Sequence, residues 1–141
     1  MRLALGLALT LVAAGCGRLL EPAGQMTASS PAEVVLGAGQ QVKVDGQILV
    51  RFLSVPADSR CPANAECFWA GDAAVALVSS TGSGPTYADT LHTTLDPKSV
   101  LRSGYRITLL EVMPYPVAPL HIPDYSVRLR IEPLLVPLGA R

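Results

Sequence analysis

The sequence predicts an all-β fold: a single antiparallel β-sandwich, or a small barrel, of about seven to eight strands carrying one disulfide. Three observations lead there. Across 125–132, Tyr125, Val127, Leu129 and Ile131 alternate with Ser126, Arg128, Arg130 and Glu132, the period of a strand with one apolar and one wet face. Two apolar runs flank Asp45-Gly46, a dipeptide that accepts the positive φ angles of a tight hairpin turn. No window carries the spacing of an amphipathic helix, and 12 glycines and 12 prolines punctuate the chain, leaving room for short strands and turns.

In chain order, strand character begins at Glu33. Segments 40–44 and 47–55 pair about Asp45-Gly46. Residues 68–69 and 73–79 flank Gly71-Asp72, a weaker turn signal. Thr81-Gly82-Ser83-Gly84-Pro85 separates that run from 86–94, which is rich in Thr and Tyr. Segments 105–112 and 125–132 complete the set. The domain so delimited, 33–138, is large enough to bury one core.

Between the last two strands, 114–123 holds four prolines in ten residues. That density excludes helix and central strand and predicts an extended, polyproline-like connection lying across an open end of the sheet. Tyr115 and His121 are its candidate partner contacts, one supplying an amphipathic ring and the other a hydrogen-bonding edge.

The N-terminus follows a different pattern. Arg2 precedes an uncharged Leu/Ala-rich stretch that ends Ala13-Ala14-Gly15-Cys16, the layout of a secretory signal. This boundary resembles the lipobox of bacterial lipoproteins. The resemblance implies a signal peptide over 1–15, cleavage before Cys16, a diacylglycerol on its thiol and an acyl group on the new amine. Residues 16–32 are then the lipidated cysteine and a flexible Gly/Pro/Ser tether. Two or more acyl chains, at about 0.8 kcal/mol per buried CH₂, give stable anchoring. The apolar stretch of about a dozen residues is itself short of a ~20-residue membrane span. Gly17 stands where Asp marks inner-membrane retention in lipoproteins of the enteric type, which leans the expectation toward the outer membrane, facing the periplasm.

Cysteine arithmetic agrees. Of three cysteines, lipidation of Cys16 leaves the even pair Cys61 and Cys67, expected to bridge in an oxidising compartment. The spacing is not that of a Cys-x-x-Cys redox pair, and a zinc site needs about four ligands. Asp58 is placed to cap the loop that follows it. Trp69, the only tryptophan, is expected to pack beside the bridge in the core; the alternative is an exposed aromatic anchor for a ligand. The segment running from Asp58-Ser59-Arg60-Cys61-Pro62 to Cys67-Phe68-Trp69-Ala70-Gly71 resembles one in small bacterial lipoproteins and secreted domains, and implies no activity.

Lys plus Arg and Asp plus Glu number 11 each, and without a basic stripe nucleic-acid binding is not expected. No Gly-x-Ser-x-Gly, paired carboxylates, EF-hand loop or phosphate-binding glycine loop is present. The expected function is a lipid-anchored, non-enzymatic envelope module that binds a protein, peptide or glycan, with no cofactor and no metal site. Two rivals are a periplasmic metal-binding protein using His92, His121, Met113 or nearby acids, and a hydrolase whose site is assembled from distant residues.

Overall fold

The computed structural model describes residues 25–135; the expected leader, the acylation site Cys16 and most of the expected tether lie outside them. Among the described residues no helix forms. Nine strands do: β1 (Gln25–Ala28), β2 (Ala32–Gly37), β3 (Gln41–Val44), β4 (Ile48–Asp58), β5 (Ala73–Thr81), β6 (Thr86–His92), β7 (Ser99–Arg102), β8 (Tyr105–Met113) and β9 (Ser126–Pro133). They make two sheets, ordered β1-β3-β4-β5-β6 and β2-β9-β8-β7. The chain is therefore an all-β sandwich.

Period-two alternation builds the core. Ile48, Val50 and Phe52 of β4, Val75 and Leu77 of β5, and Val127, Leu129 and Ile131 of β9 all turn inward and are buried, together with Leu36, Leu91 and Ile107. In β8 the register shifts between Leu109 and Glu111. That bulge puts Leu109 and Val112, three apart, on the same buried face. In β4 the register breaks twice beyond Phe52, and Pro56, which cannot donate to a ladder, falls in the irregular part. Asp45 (φ 53°) and Gly46 (φ 67°) make the expected hairpin turn. The Asp45 carboxylate also accepts from Ser30 N, Ser30 Oγ and the Tyr105 hydroxyl, at 2.8, 2.5 and 2.9 Å. It thereby pins both sheets at that end.

Four features differ from the sequence expectation. β1 falls within the stretch read as tether and pairs with β3 in parallel, so the sandwich is not purely antiparallel. β1 is short and only partly buried, and it is held chiefly by its ladder to β3. β7 was not expected, because none of its side chains is fully buried and its alternation is faint. Its turn to β8, Ser103-Gly104 with φ 50° and 80°, is a hairpin signal. Residues 68–69 are not a strand; they belong to a cross-linked loop. With β1 and β7 counted, the described residues hold nine strands against the seven to eight expected.

Candidate functional site

One end of the sandwich gathers three loops: 59–72 between β4 and β5, 93–98 between β6 and β7, and 114–125 between β8 and β9. The neck of the first loop is zipped by Ser59 N to Asp72 O (2.7 Å) and Cys61 N to Ala70 O (2.8 Å). Beyond it, Cys61 and Cys67 form the expected disulfide, with Cα atoms 5.9 Å apart. The backbone of Gly71 (φ 73°) runs directly against Ser59. Closing so short a ring stabilises the fold by about 2 kcal/mol in the chain-entropy account. Reduction should lower stability by about that amount without unfolding the sandwich, since neither cysteine belongs to the core. Urea denaturation with and without reductant checks this.

Arg60 organises the end. Asp58 and Arg60 lie two apart on extended chain, so they turn to the same side. Their side chains are only 8% and 6% exposed, and they pair at 2.7 Å (Arg60 Nη2 to Asp58 Oδ2) and 2.9 Å (Arg60 Nε to Asp58 Oδ1). Arg60 also donates to the carbonyls of Val112 (2.6 Å) and Pro114 (3.0 Å), tying the 59–72 loop to the far sheet. The Tyr125 hydroxyl donates to Asp58 (3.1 Å). Burial pushes the Asp58 carboxyl up, but the hydrogen bonds and charge of Arg60, with the Tyr125 hydroxyl, hold it below its ordinary value. As expected, Asp58 caps the loop, accepting from Arg60 N at 3.1 Å. The sequence expectation does not include this hub; its one signal is an Asp-x-Arg pair where a strand leaves the core.

The inward slot at this end is thus filled by Arg60, which corrects the expectation for Trp69. The indole is 75% exposed and Phe68 96% exposed. Their rings meet edge to face, 5.4 Å between centroids. The disulfide and the exposed aromatics share a loop, but neither reaches the core. The exposed placement of Trp69, the alternative to core packing, is the one seen.

The 114–125 loop is less extended than the proline content suggests. Leu120 N bonds to Val117 O (2.8 Å) in a turn, and Asn64 grips Ala118 through both amide atoms (2.8 and 2.9 Å). Ala63 N adds a bond to Pro116 O (2.9 Å). The loop does close the end of the sandwich, and it does so by docking on 59–72. Tyr115 is 54% exposed, with its ring 5.1 Å from the Arg60 guanidinium. It lines an open cleft of about 230 Å³ together with Ala70, Thr94, Leu110 and Val112. His121 is exposed but does not line that cleft, so the two expected contacts are not one site.

Asp72 knots the 93–98 loop to the same end. Its Oδ1 accepts from Thr94 N (2.8 Å), Leu95 N (3.3 Å) and Thr93 Oγ1 (3.2 Å), while Oδ2 meets His92 Nδ1 at 2.6 Å. Burial raises its pKa, but the His92 bond and these donors outweigh that and bring it down to about 2. An Asp–His pair is one part of a hydrolytic site, yet no hydroxyl is hydrogen-bonded to His92 among the described residues. No group of three or more His, Cys, Asp or Glu stands together to hold a metal among them either. The chain matches no protein-family model, no curated protein and no solved structure.

Proposed function

We propose that this chain is a lipid-anchored protein of the bacterial envelope, held through Cys16, whose sandwich is a non-enzymatic binding module. Its contact surface is the three-loop end, with Tyr115 at the centre. The observation that carries this reading is that loops from both sheets are knit into one ordered platform around the open cleft beside Tyr115. A disulfide, the Asp58–Arg60 pair and the Asn64–Ala118 bonds hold that platform, so little ordering entropy is lost on docking. At about 230 Å³ the cleft is below the ~300–1,000 Å³ of small-molecule pockets. It suits one or two side chains, or a sugar ring, of a larger envelope partner.

Two measurements test the proposal. Cells fed a fatty-acid analogue should label the wild-type chain and not Cys16→Ser; equal label on both would remove the anchor. A photo-crosslinking amino acid placed at Tyr115 should trap an envelope component in living cells. The same probe at Ser83, on the opposite end, should trap none. Identical adducts from both positions would rule out the cleft as the contact.

A further inference from the structure

Phe68 and Trp69 take no part in that cleft. We infer that they sink into the lipid interface of the membrane to which the chain is anchored, as a second contact made by the tip of the 59–72 loop and separate from the cleft beside Tyr115. This rests on the anchored reading above and goes beyond it by naming what covers the aromatic tip.

Exposure comes first. Phe68 and Trp69 are among the most exposed large apolar side chains of the described residues, and they are adjacent. The zipped neck and the disulfide give that tip a fixed backbone, so the rings cannot easily fold back to hide. Leu95, Val117 and Leu120, on the two neighbouring loops, are also exposed. Leu95 and Trp69 line a common shallow hollow. Trp is enriched where a membrane meets water because its ring is apolar and its N–H is wet.

The opposite end reads differently. Its turns are Asp45-Gly46, Thr81–Pro85 and Ser103-Gly104. Its large exposed apolar side chains include Leu101, Leu134 and Leu135, and its one exposed aromatic, Tyr87, has the Arg102 guanidinium over its ring, 4.9 Å from the centroid.

Chain length then permits that contact. β1 is parallel to β3, and β3 is antiparallel to β4, so the chain enters β1 from the side of the three-loop end. Gln25 lies level with Arg51 through Gln41, and Arg51 is seven residues from Asp58, about 23 Å at the strand rise. Eight residues separate Cys16 from Gln25, and that stretch spans about 30 Å at full extension. An acylated Cys16 therefore reaches past the level of Asp58, on the side toward which the aromatic tip projects. Confined this way, the tip faces the bilayer at an effective concentration on the order of millimolar, and a contact too weak to hold the free chain becomes populated. Glu66, Asp96 and Asp124 lie on the same end against Lys98, so the attraction is hydrophobic and not to anionic lipid.

Trp69, as the only tryptophan, reports its own surroundings. The acylated chain is reconstituted on zwitterionic phosphatidylcholine vesicles. Its emission should shift to shorter wavelength, lose acrylamide quenching, and be quenched by lipids brominated near the headgroup. Phe68→Ser should reduce the bromolipid quenching, and unacylated Cys16→Ser should emit as in water at the same lipid concentration. A membrane-bound, acylated chain whose Trp69 still emits as in water overturns the inference. So does a Trp69 that is exposed on vesicles yet shielded in intact cells, which would assign the tip to a protein or glycan. Mass spectrometry of Cys16 decides the anchor separately. If no acyl group is found, the same emission is read with the chain held by an N-terminal histidine tag on nickel-chelating vesicles. A water-like Trp69 there refutes insertion as well.

Discussion

Arg60→Ala should lower the stability of the sandwich by about 3–5 kcal/mol, the range for breaking a buried ion pair from one side, and the melting midpoint by roughly 12–25 °C. The substitution strands the Asp58 carboxylate with the Tyr125 hydroxyl and the backbone N–H of residue 60 as its remaining donors. It also takes the Arg60 donors from the carbonyls of Val112 and Pro114. Replacing both partners by apolar residues, Asp58→Leu with Arg60→Met, should recover much of the loss because no charge is left buried. Full recovery is not expected, since both carbonyls still lack Arg60. A loss under ~1 kcal/mol for Arg60→Ala in urea denaturation would mean that the pair behaves as a solvated surface bridge. Asp58 titrates lower in the folded chain than its ordinary 3.8, so its contribution is present above about pH 4 and fades as pH falls below that. In Arg60→Ala the main lowering influence is gone, and this part of the acid sensitivity should disappear.

Gly71→Ala should cost about 3–5 kcal/mol, combining a left-handed backbone with overpacking. At φ 73° a Cβ would stand 1.8 Å from the Ser59 carbonyl oxygen and 2.9 Å from the Arg60 Cα. Both are backbone atoms of the zipped neck, so no rotamer change relieves the clash. Gly46 is the control. Its φ is 67° but nothing lies within 4 Å of its Cβ position, so Gly46→Ala should cost only the roughly 1–2 kcal/mol of the conformation itself. Equal losses in the two variants would show that close approach at Gly71 is not what glycine provides there.

The two positions also show where reading the chain succeeds and where it stops. Local patterns were legible: the alternation of β9, the Asp45-Gly46 hairpin and the Cys61–Cys67 pairing each depend on a few consecutive residues. Competition for one space was not. Arg60 and Trp69 are both near the loop, and hydrophobicity alone assigns the inward slot to the indole. The arginine takes it because Asp58 and two carbonyls on the far sheet neutralise and satisfy its guanidinium, and those carbonyls are more than fifty residues away. The Asp72–His92 contact is likewise set by pairing of β5 with β6, in which Ala74 stands opposite His92. Strand β1 is hard to read for a related reason: the alternation in Gln-Met-Thr-Ala spans only four residues, and its position is decided by a ladder to β3.

That strand has a mechanical consequence. A pull applied through the chain ahead of Gln25 enters the sandwich at β1 and runs along the strand. The β1–β3 rungs are then loaded together in shear rather than opened one after another. Of the four residues, only Ala28 packs against the core, so giving way at β1 leaves the central strands of both sheets in place. Release would add about 13 Å of extended chain ahead of the sandwich at the strand rise and expose one new edge, while the three-loop end stays assembled. With four rungs and one core-packed residue, the first strand should act as a fuse, giving way under such a pull before the central strands do.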